Sequence, residues 1–375
     1  MKIVFSGGGT GGHIVPIIAV AREIRKLYHG NKLEFEYVGP SNEFTDIFFR
    51  NEGIRVSPVL AGKMRRYQNA QSIASNVLDL GIKLPLGVIQ AFFKLFFSSP
   101  DLVFSKGGYG AIPPTVASWM LGIPVFLHES DISPGLANRI AGRFALRIFT
   151  SFARTQHFST EKVVLVGNPI RSELLTGNKE EATRLFKLVG GKPLILLLGG
   201  SQGSSRLNDM FLETAEEMLK RFEVVHQTGE SNFEQVKKEA GLVVSSDGMK
   251  FYHPVPFVKE PELRHLYAAA DFIVNRAGAG SIFEISALKK PSILIPLPEA
   301  AQNHQAENAY EYANTGAAIV MEEMNLTPHF FLEKLIYLFD NPKELEKMSR
   351  AAASFAKPEA AQVMARTIVE YLVGR

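Results

Sequence analysis

Ile3-Val4-Phe5-Ser6-Gly7-Gly8-Gly9-Thr10-Gly11-Gly12-His13 is a β-branched run, a glycine loop and the start of a helical pattern that continues from about Ile14 to Tyr28. The same order returns at Leu194-Ile195-Leu196-Leu197-Leu198-Gly199-Gly200-Ser201-Gln202-Gly203. Later in each half another strand, glycine loop and helix lead to a proline-marked turn into a further strand. These are Lys106-Gly107-Gly108-Tyr109-Gly110 through Gly122-Ile123-Pro124-Val125, and Arg276-Ala277-Gly278-Ala279-Gly280 through Lys290-Pro291-Ser292-Ile293. Short apolar runs at 35–38, 102–104, 125–127, 147–149, 163–166, 224–225, 272–274 and 293–295 alternate with amphipathic stretches. Strands alternating with helices imply parallel βαβ units, and the echo implies an α/β chain of two Rossmann-like, doubly wound parallel-sheet domains. Gly167-Asn168-Pro169 is turn chemistry and marks the boundary.

Composition bounds the function. A chain of 375 residues is long for one core when domains run to roughly 100–200 residues. A 46% apolar and 21% charged composition is that of an ordinary globular protein. The net charge of +3 is too weak to argue for nucleic acid. With no cysteine there is no disulfide, zinc-thiolate site or cysteine nucleophile. The apolar run at Ile3-Val4-Phe5 is too short for a signal peptide, so a cytoplasmic location is expected. Ile73 to Phe97 carries only Asp79, Lys83 and Lys94 as charges, but Gly81, Pro85 and Gly87 interrupt it, which argues against a membrane span.

Glycine turns that open a helix aim free N–H groups and a positive helix end at an anion. Four of them at corresponding places point to a diphosphate ligand, although tight turns alone also use glycine. Gly7, Gly9 and Gly12 satisfy the dinucleotide pattern, yet the acid expected about 20 residues on is replaced by Gly39-Pro40-Ser41 after Val38. No Gly-Lys-Ser/Thr follows for a P-loop. His13 stands at the helix start, where the dipole favours the neutral imidazole: a base, or a cap on the turn. In the second half Glu284 lies one turn into a helix behind Gly278-Ala279-Gly280-Ser281, which suits a ribose diol as well as a helix dipole. Gln302-Asn303-His304-Gln305 offers amide and imidazole partners for sugar hydroxyls.

At these residues the sequence resembles the MurG family, glycosyltransferases of peptidoglycan synthesis that add N-acetylglucosamine to undecaprenyl-diphospho-muramoyl-pentapeptide (lipid I). The resemblance runs nearly end to end. It rests on Gly8-Gly9-Thr10-Gly11-Gly12-His13 with Pro16, Gly107-Gly108-Tyr109, His128-Glu129 with Pro134-Gly135-Leu136-Ala137-Asn138, Gly167-Asn168-Pro169-Ile170-Arg171, Gly199-Gly200-Ser201-Gln202-Gly203, and Gly278-Ala279 through Glu284. It implies the GT-B architecture: an acceptor- and membrane-binding domain over 1–167, a UDP-sugar domain over 168–355, a last helix (about 356–375) returning to the first domain, and an active site in the cleft between the domains. It also implies an inverting transfer from UDP-GlcNAc to lipid I with neither metal nor cofactor. By resemblance His13 is the base. Thr10, Gly11 and Gly12 approach the diphosphates, and Asp131 lies near sugar and acceptor. Arg171, Ser201, Val258 (through its backbone, beside the uracil), Ala279, Gly280, Ser281, Ile282, Phe283, Glu284 and Gln305 hold the donor. Two departures stand out: His128-Glu129-Ser130-Asp131 replaces the family's usual His-Glu-Gln-Asn, and Arg276-Ala277-Gly278 replaces Arg-Ser-Gly. Asp131 thereby adds a negative charge where diphosphates meet.

A lipid-linked acceptor requires membrane contact. Ile82 to Phe97 with Lys63, Arg65 and Arg66 is expected to dock on the anionic inner leaflet at the cytoplasmic face, with Phe92 and Phe96 expected in the core. The alternatives are a UDP-sugar epimerase of the same fold, an oxidoreductase, and a non-catalytic lipid-carrier binding protein.

Overall fold

A computed structural model of the chain describes residues 1–30, 32–63, 75–155, 157–200, 203–298 and 303–374, the side chain of Phe44 excepted. It forms two compact units, Met1–Arg171 with Glu359–Arg375, and Ser172–Pro358. In the first, β1 (Lys2–Ser6), β2 (Glu34–Gly39), β3 (Arg55–Pro58), β4 (Leu102–Ser105), β5 (Val125–Glu129), β6 (Arg147–Thr150) and β7 (Val163–Leu165) make a sheet of order β3-β2-β1-β4-β5-β6-β7. In the second, β8 (Leu194–Leu198), β9 (Glu223–Gln227), β10 (Tyr252–Val255), β11 (Phe272–Asn275), β12 (Ser292–Leu294) and β13 (Ala318–Val320) make a sheet of order β10-β9-β8-β11-β12-β13. Every pairing is parallel: Phe5 stands opposite Tyr37 and Phe104, and Leu197 opposite His226 and Val274. In each sheet the order reverses at its first strand, which sets the loops after β1 and β4 side by side, and likewise those after β8 and β11. Ligands of open α/β sheets bind at such switch points.

The runs Ile3-Val4-Phe5 and Leu194 through Leu198 are buried because helices cover both faces of each sheet. Over one face of the first sheet, Ile14, Ile17 and Ile24 of the helix Gly11–Leu27 pack with Phe104, Phe126 and Phe149. Met364, Ala365 and Ile368 of the helix Ala360–Val373 join the same layer. Each isoleucine, phenylalanine or methionine among them contributes about 1.5–3 kcal/mol on burial. The edge strands β3, β10 and β13 are absent from the sequence reading, because a half-exposed edge needs no apolar run.

The stretch before β4 departs from expectation. Helical backbone runs unbroken from Ser75 to Ser98, through a π-turn at Asp79–Lys83, and this 24-residue helix is long and apolar enough to cross a membrane. Gly81, Pro85 and Gly87 therefore do not interrupt it. Pro85 lies where the segment Leu84–Ser98 begins, and Gly87 lets Leu60 approach: a Cβ there would stand 2.0 Å from the Leu60 carbonyl oxygen. Gly87, Ala91 and Leu95 form its buried stripe against the domain. Phe96, expected in the core, is exposed, whereas Phe92 does pack partly against the core.

Candidate active site

The loop after β1 is held from beneath by Tyr37, whose hydroxyl donates to the Gly7 carbonyl at 2.9 Å. Thr10 starts the helix Gly11–Leu27 but does not cap it. Its hydroxyl lies 2.9 Å from His13 Nδ1 instead, which leaves the first helical N–H groups open. A Cβ on Gly11 or Gly12 would meet nothing within 4 Å. The protein itself thus does not demand glycine there, whereas a ligand approaching the backbone would.

His13 lies between two other glycines. A Cβ on Gly8 would stand 2.9 Å from its Cε1, and one on Gly108 2.6 Å from its Nε2. Gly107 and Gly108 have φ of +82° and +78°, a left-handed pair that turns the chain after β4 over the imidazole. Burial first, and the Lys106 ammonium second, lower the His13 imidazole from 6.5 to about 3, so it is neutral at pH 7.

Beside it is a buried charged cluster at the ends of β4 and β5. Lys106 is 2% exposed, and its Nζ donates to Ser130 Oγ at 3.1 Å. Glu129 accepts from the Asp131 N–H at 2.9 Å and from Asn138 Nδ2 at 2.7 Å. Burial, then the neighbouring Asp131 charge, raise the Glu129 carboxyl to about 7. His128 is buried, with Nε2 3.1 Å from Ser151 Oγ, and desolvation holds it well below its usual range. Of these residues the sequence reading gave a role only to Asp131. Lys106 left no sequence signal, because a lysine after a strand ordinarily reaches solvent.

In the second unit Gly203, at φ +77°, packs so that a Cβ would lie 2.3 Å from the Thr228 carbonyl oxygen. Ser204 caps the helix Ser205–Arg221 by accepting from the Leu207 N–H, and Arg276 donates to the same hydroxyl at 2.5 Å while pairing with Glu323 at 3.1 Å. Ser201 and Gln202 lie outside the described residues, as do Arg65, Arg66 and Gln302. Gln227, unnoticed in the sequence, ties this loop to the next: Nε2 donates to the Gly200 carbonyl at 2.8 Å and Oε1 accepts from the Val258 N–H at 3.0 Å. Val258 is buried, and its N–H is committed to this bond.

The helix Ala279–Ala287 starts at Gly278 with no side-chain cap. Ala279, Gly280 and Ser281 thus present backbone, while Ile282 belongs to the core and Phe283 packs on Phe355 at 5.2 Å. Those two side chains are structural, and any ligand contact at these positions runs through the main chain. Glu284 is buried and accepts from the Tyr267 hydroxyl at 3.0 Å, which fixes its carboxylate. Gln305 accepts from the Leu297 N–H at 2.9 Å through Oε1, turning its amide nitrogen toward other partners. Arg171 closes the first unit's main segment.

Residues 3–150 match the glycosyltransferase family 28 N-terminal domain, and residues 194–364 its C-terminal domain. A UDP-N-acetylglucosamine--N-acetylmuramyl-(pentapeptide) pyrophosphoryl-undecaprenol N-acetylglucosamine transferase of Clostridium tetani is 34% identical over 348 residues, 92% of each chain. A Bacillus cereus protein of the same description, numbered 2, is 33% identical over 98% of this chain and 99% of its own length. Among solved structures, Acinetobacter baumannii MurG has a TM-score of 0.75 at 22% identity, covering 98% of this chain and 99% of that one. A UDP-GlcNAc 2-epimerase from Neisseria meningitidis, bound to UDP-GlcNAc, has a TM-score of 0.69 at 16% identity over 99% and 100%. At those identities both structural likenesses concern the fold.

Proposed function

The chain belongs to the MurG family of glycosyltransferases, and from that premise we propose that it transfers N-acetylglucosamine from UDP-GlcNAc to the muramoyl 4-hydroxyl of lipid I, giving lipid II and UDP in peptidoglycan synthesis. The observation that carries this reading is the pairing of an uncapped helix N-terminus with His13 in one unit and a second uncapped helix N-terminus with Glu284 in the other. The first supplies an acceptor site with a base, the second a donor site for diphosphate and ribose.

In the reaction the acceptor oxygen attacks the anomeric carbon from the face opposite UDP. The C1–O bond to the diphosphate breaks with inversion, His13 takes the hydroxyl proton, and UDP leaves with the bonding pair. An imidazole held at about 3 is neutral but a weak base. Bound diphosphates bring negative charge beside it and raise it toward the working pH. Charge developing on the leaving diphosphate is met by the N–H groups from Ala279 to Ser281 and by Arg171. The Glu284 carboxylate, oriented by Tyr267, suits the ribose hydroxyls.

The enzyme sits peripherally on the cytoplasmic face of the membrane. Ile89, Phe93, Phe96 and Phe97 of the helix Leu84–Ser98 are exposed, Phe97 by 80%, and Trp119 and Met120 on the packed helix Ile112–Met120 are exposed beside it. Lys83 is committed to the buried Asp79 at 2.6 Å, so of the two lysines in this stretch Lys94 is the one suited to lipid phosphate.

The test supplies radiolabelled UDP-GlcNAc with a short-chain lipid I analogue. A labelled disaccharide product is expected, and conversion of UDP-GlcNAc to its 2-epimer without acceptor glycosylation would replace the transferase reading with that of an epimerase.

A further inference from the structure

Basic side chains on several helices of this chain have an acid one turn away, as Arg184 has Glu181, Lys347 has Glu344 and Arg350 has Glu346. Arg139, Arg143, His157 and Lys162 do not. They surround a cavity of about 340 Å³ between the helix Leu136–Phe144 and the segment 157–162 that leads into β7. Among the described residues none of the four makes an ion pair, and Glu161, the acid nearest in sequence, does not line the cavity. The whole chain carries only +3, so this is a local excess of positive charge and not a general one.

The walls are shaped by packing. Gly142 lets the two segments approach, because a Cβ there would stand 2.7 Å from the Phe158 ring, which packs against the core. Arg139 Nε donates to the Pro134 carbonyl at 2.9 Å, and that bond leaves the terminal nitrogens of its guanidinium for a ligand. Lys162 Nζ donates to the Arg143 carbonyl at 3.3 Å in the last turn of the helix and keeps two further N–H groups. The negative helix end accounts for one cation or two, but not for four around one hollow. A concave surface of one sign focuses field lines and concentrates counter-ions. Guanidinium groups beside an ammonium suit phosphate oxygens, which accept two parallel bonds from an arginine fork.

The sheet separates this cavity from the substrate loops. Those loops follow the carboxyl ends of the strands, whereas the helix end at Phe144 and Lys162 lie just before β6 and β7 begin, at the opposite edge. There Phe144 packs on Trp119 at 5.2 Å, and Trp119, Met120 and Leu146 are exposed, so the cavity borders the apolar face assigned to the membrane.

We propose that this cavity is a phosphate-binding site separate from the substrate loops, and that its ligand is the phosphate of an anionic lipid headgroup. The lipid source rests on the membrane reading; the affinity for phosphate does not, and neither depends on sugar transfer.

The experiment follows the emission of Trp119, the one tryptophan of the chain and a neighbour of the helix that carries Arg139 and Arg143. The protein is titrated with inorganic diphosphate, and with phosphatidylcholine vesicles carrying one-fifth phosphatidate or, to the same zeta potential, diacylglycerol hemisuccinate. Arg143→Gln with Lys162→Gln alters the site, and Lys94→Gln with Arg147→Gln removes as much charge outside it. The unaltered protein is expected to bind phosphatidate vesicles about fivefold or more tightly than the carboxylate vesicles. The site variant should lose that preference, while the control variant binds both vesicles more weakly and keeps it. Transfer to a soluble acceptor should stay within about twofold in the site variant. A saturable response to diphosphate that the site variant lacks, with no vesicle preference, would overturn the lipid source and keep the phosphate site. Equal binding to both vesicles with no diphosphate response overturns the proposal, as does a site variant that retains the preference. A raised KM for the soluble acceptor would make the cavity part of the acceptor site and overturn its separateness. Should the double substitution unfold the protein, Arg143→Gln alone, at an exposed side chain, reads the same preference. A protein that binds phosphatidate through this site yet makes no disaccharide would sink the transferase reading and leave this one standing.

Discussion

The hydroxyl of Thr10 lies 2.9 Å from Nδ1 of His13, and the carbonyl of the same Thr10 accepts the His13 N–H at 2.9 Å. One residue therefore fixes both the backbone position and the ring of His13, the proposed base. For Nε2 to accept a proton, Nδ1 must carry one and donate it to Thr10 Oγ1. Thr10→Val keeps the shape and removes that acceptor. We expect kcat to fall about tenfold with little change in either KM, against about 10²–10⁴ for His13→Ala, both measured by steady-state transfer to a soluble acceptor.

Gly108→Ala adds a Cβ 2.6 Å from His13 Nε2 at a φ of +78°. The left-handed backbone costs roughly 1–2 kcal/mol in stability. Displacing the imidazole costs activity beyond that. Thermal melts and kcat on the same preparation should show a variant that remains folded with turnover reduced at least about tenfold.

Gln227→Ala cuts the link between Gly200 and Val258 and leaves the buried Val258 N–H unpaired, a cost of about 1–3 kcal/mol. The donor KM is expected to rise about tenfold while the acceptor KM is unchanged. An equal rise in both would place Gln227 outside the donor site.

His226 is buried with Nδ1 3.1 Å from the Tyr252 hydroxyl, and desolvation lowers its imidazole from 6.5 to about 3. It is neutral when folded and takes up a proton on unfolding, so the stability it contributes is complete above 6.5 and is lost as pH falls toward 3. Glu129 runs the other way: raised from 4.5 to about 7, it contributes stability below 4.5 that is lost as pH rises through 7. His226→Gln should lose less unfolding free energy between about pH 6.5 and pH 4.5 than the unaltered protein, by up to about 1.4 kcal/mol per pH unit in urea titrations.

Phe93→Asp with Phe97→Asp places two charges on the exposed face of the helix Leu84–Ser98. Co-sedimentation with anionic vesicles is expected to fall sharply while transfer to a short-chain, soluble acceptor persists. Unchanged vesicle binding would move the membrane contact elsewhere.

The division between sequence and structure follows from what each can encode. Strand, glycine loop and helix at Phe5–His13 and Leu198–Gly203 were legible because an apolar run that breaks into clustered glycines ahead of a helix is a local pattern, and its repetition pointed to two doubly wound sheets. The family was legible from ordered motifs, and His13 was singled out as a candidate base by its place at a helix start. Lys106 and Gln227 were not, because neither carries a local pattern: their significance is burial and a partner brought in by the sheet order, β5 beside β4 for one and β9 beside β8 for the other. Phe96 was misjudged for a related reason. Hydrophobicity states that a side chain avoids water, and only packing of Gly87, Ala91 and Leu95 against the domain decided which face of that helix would be left outside.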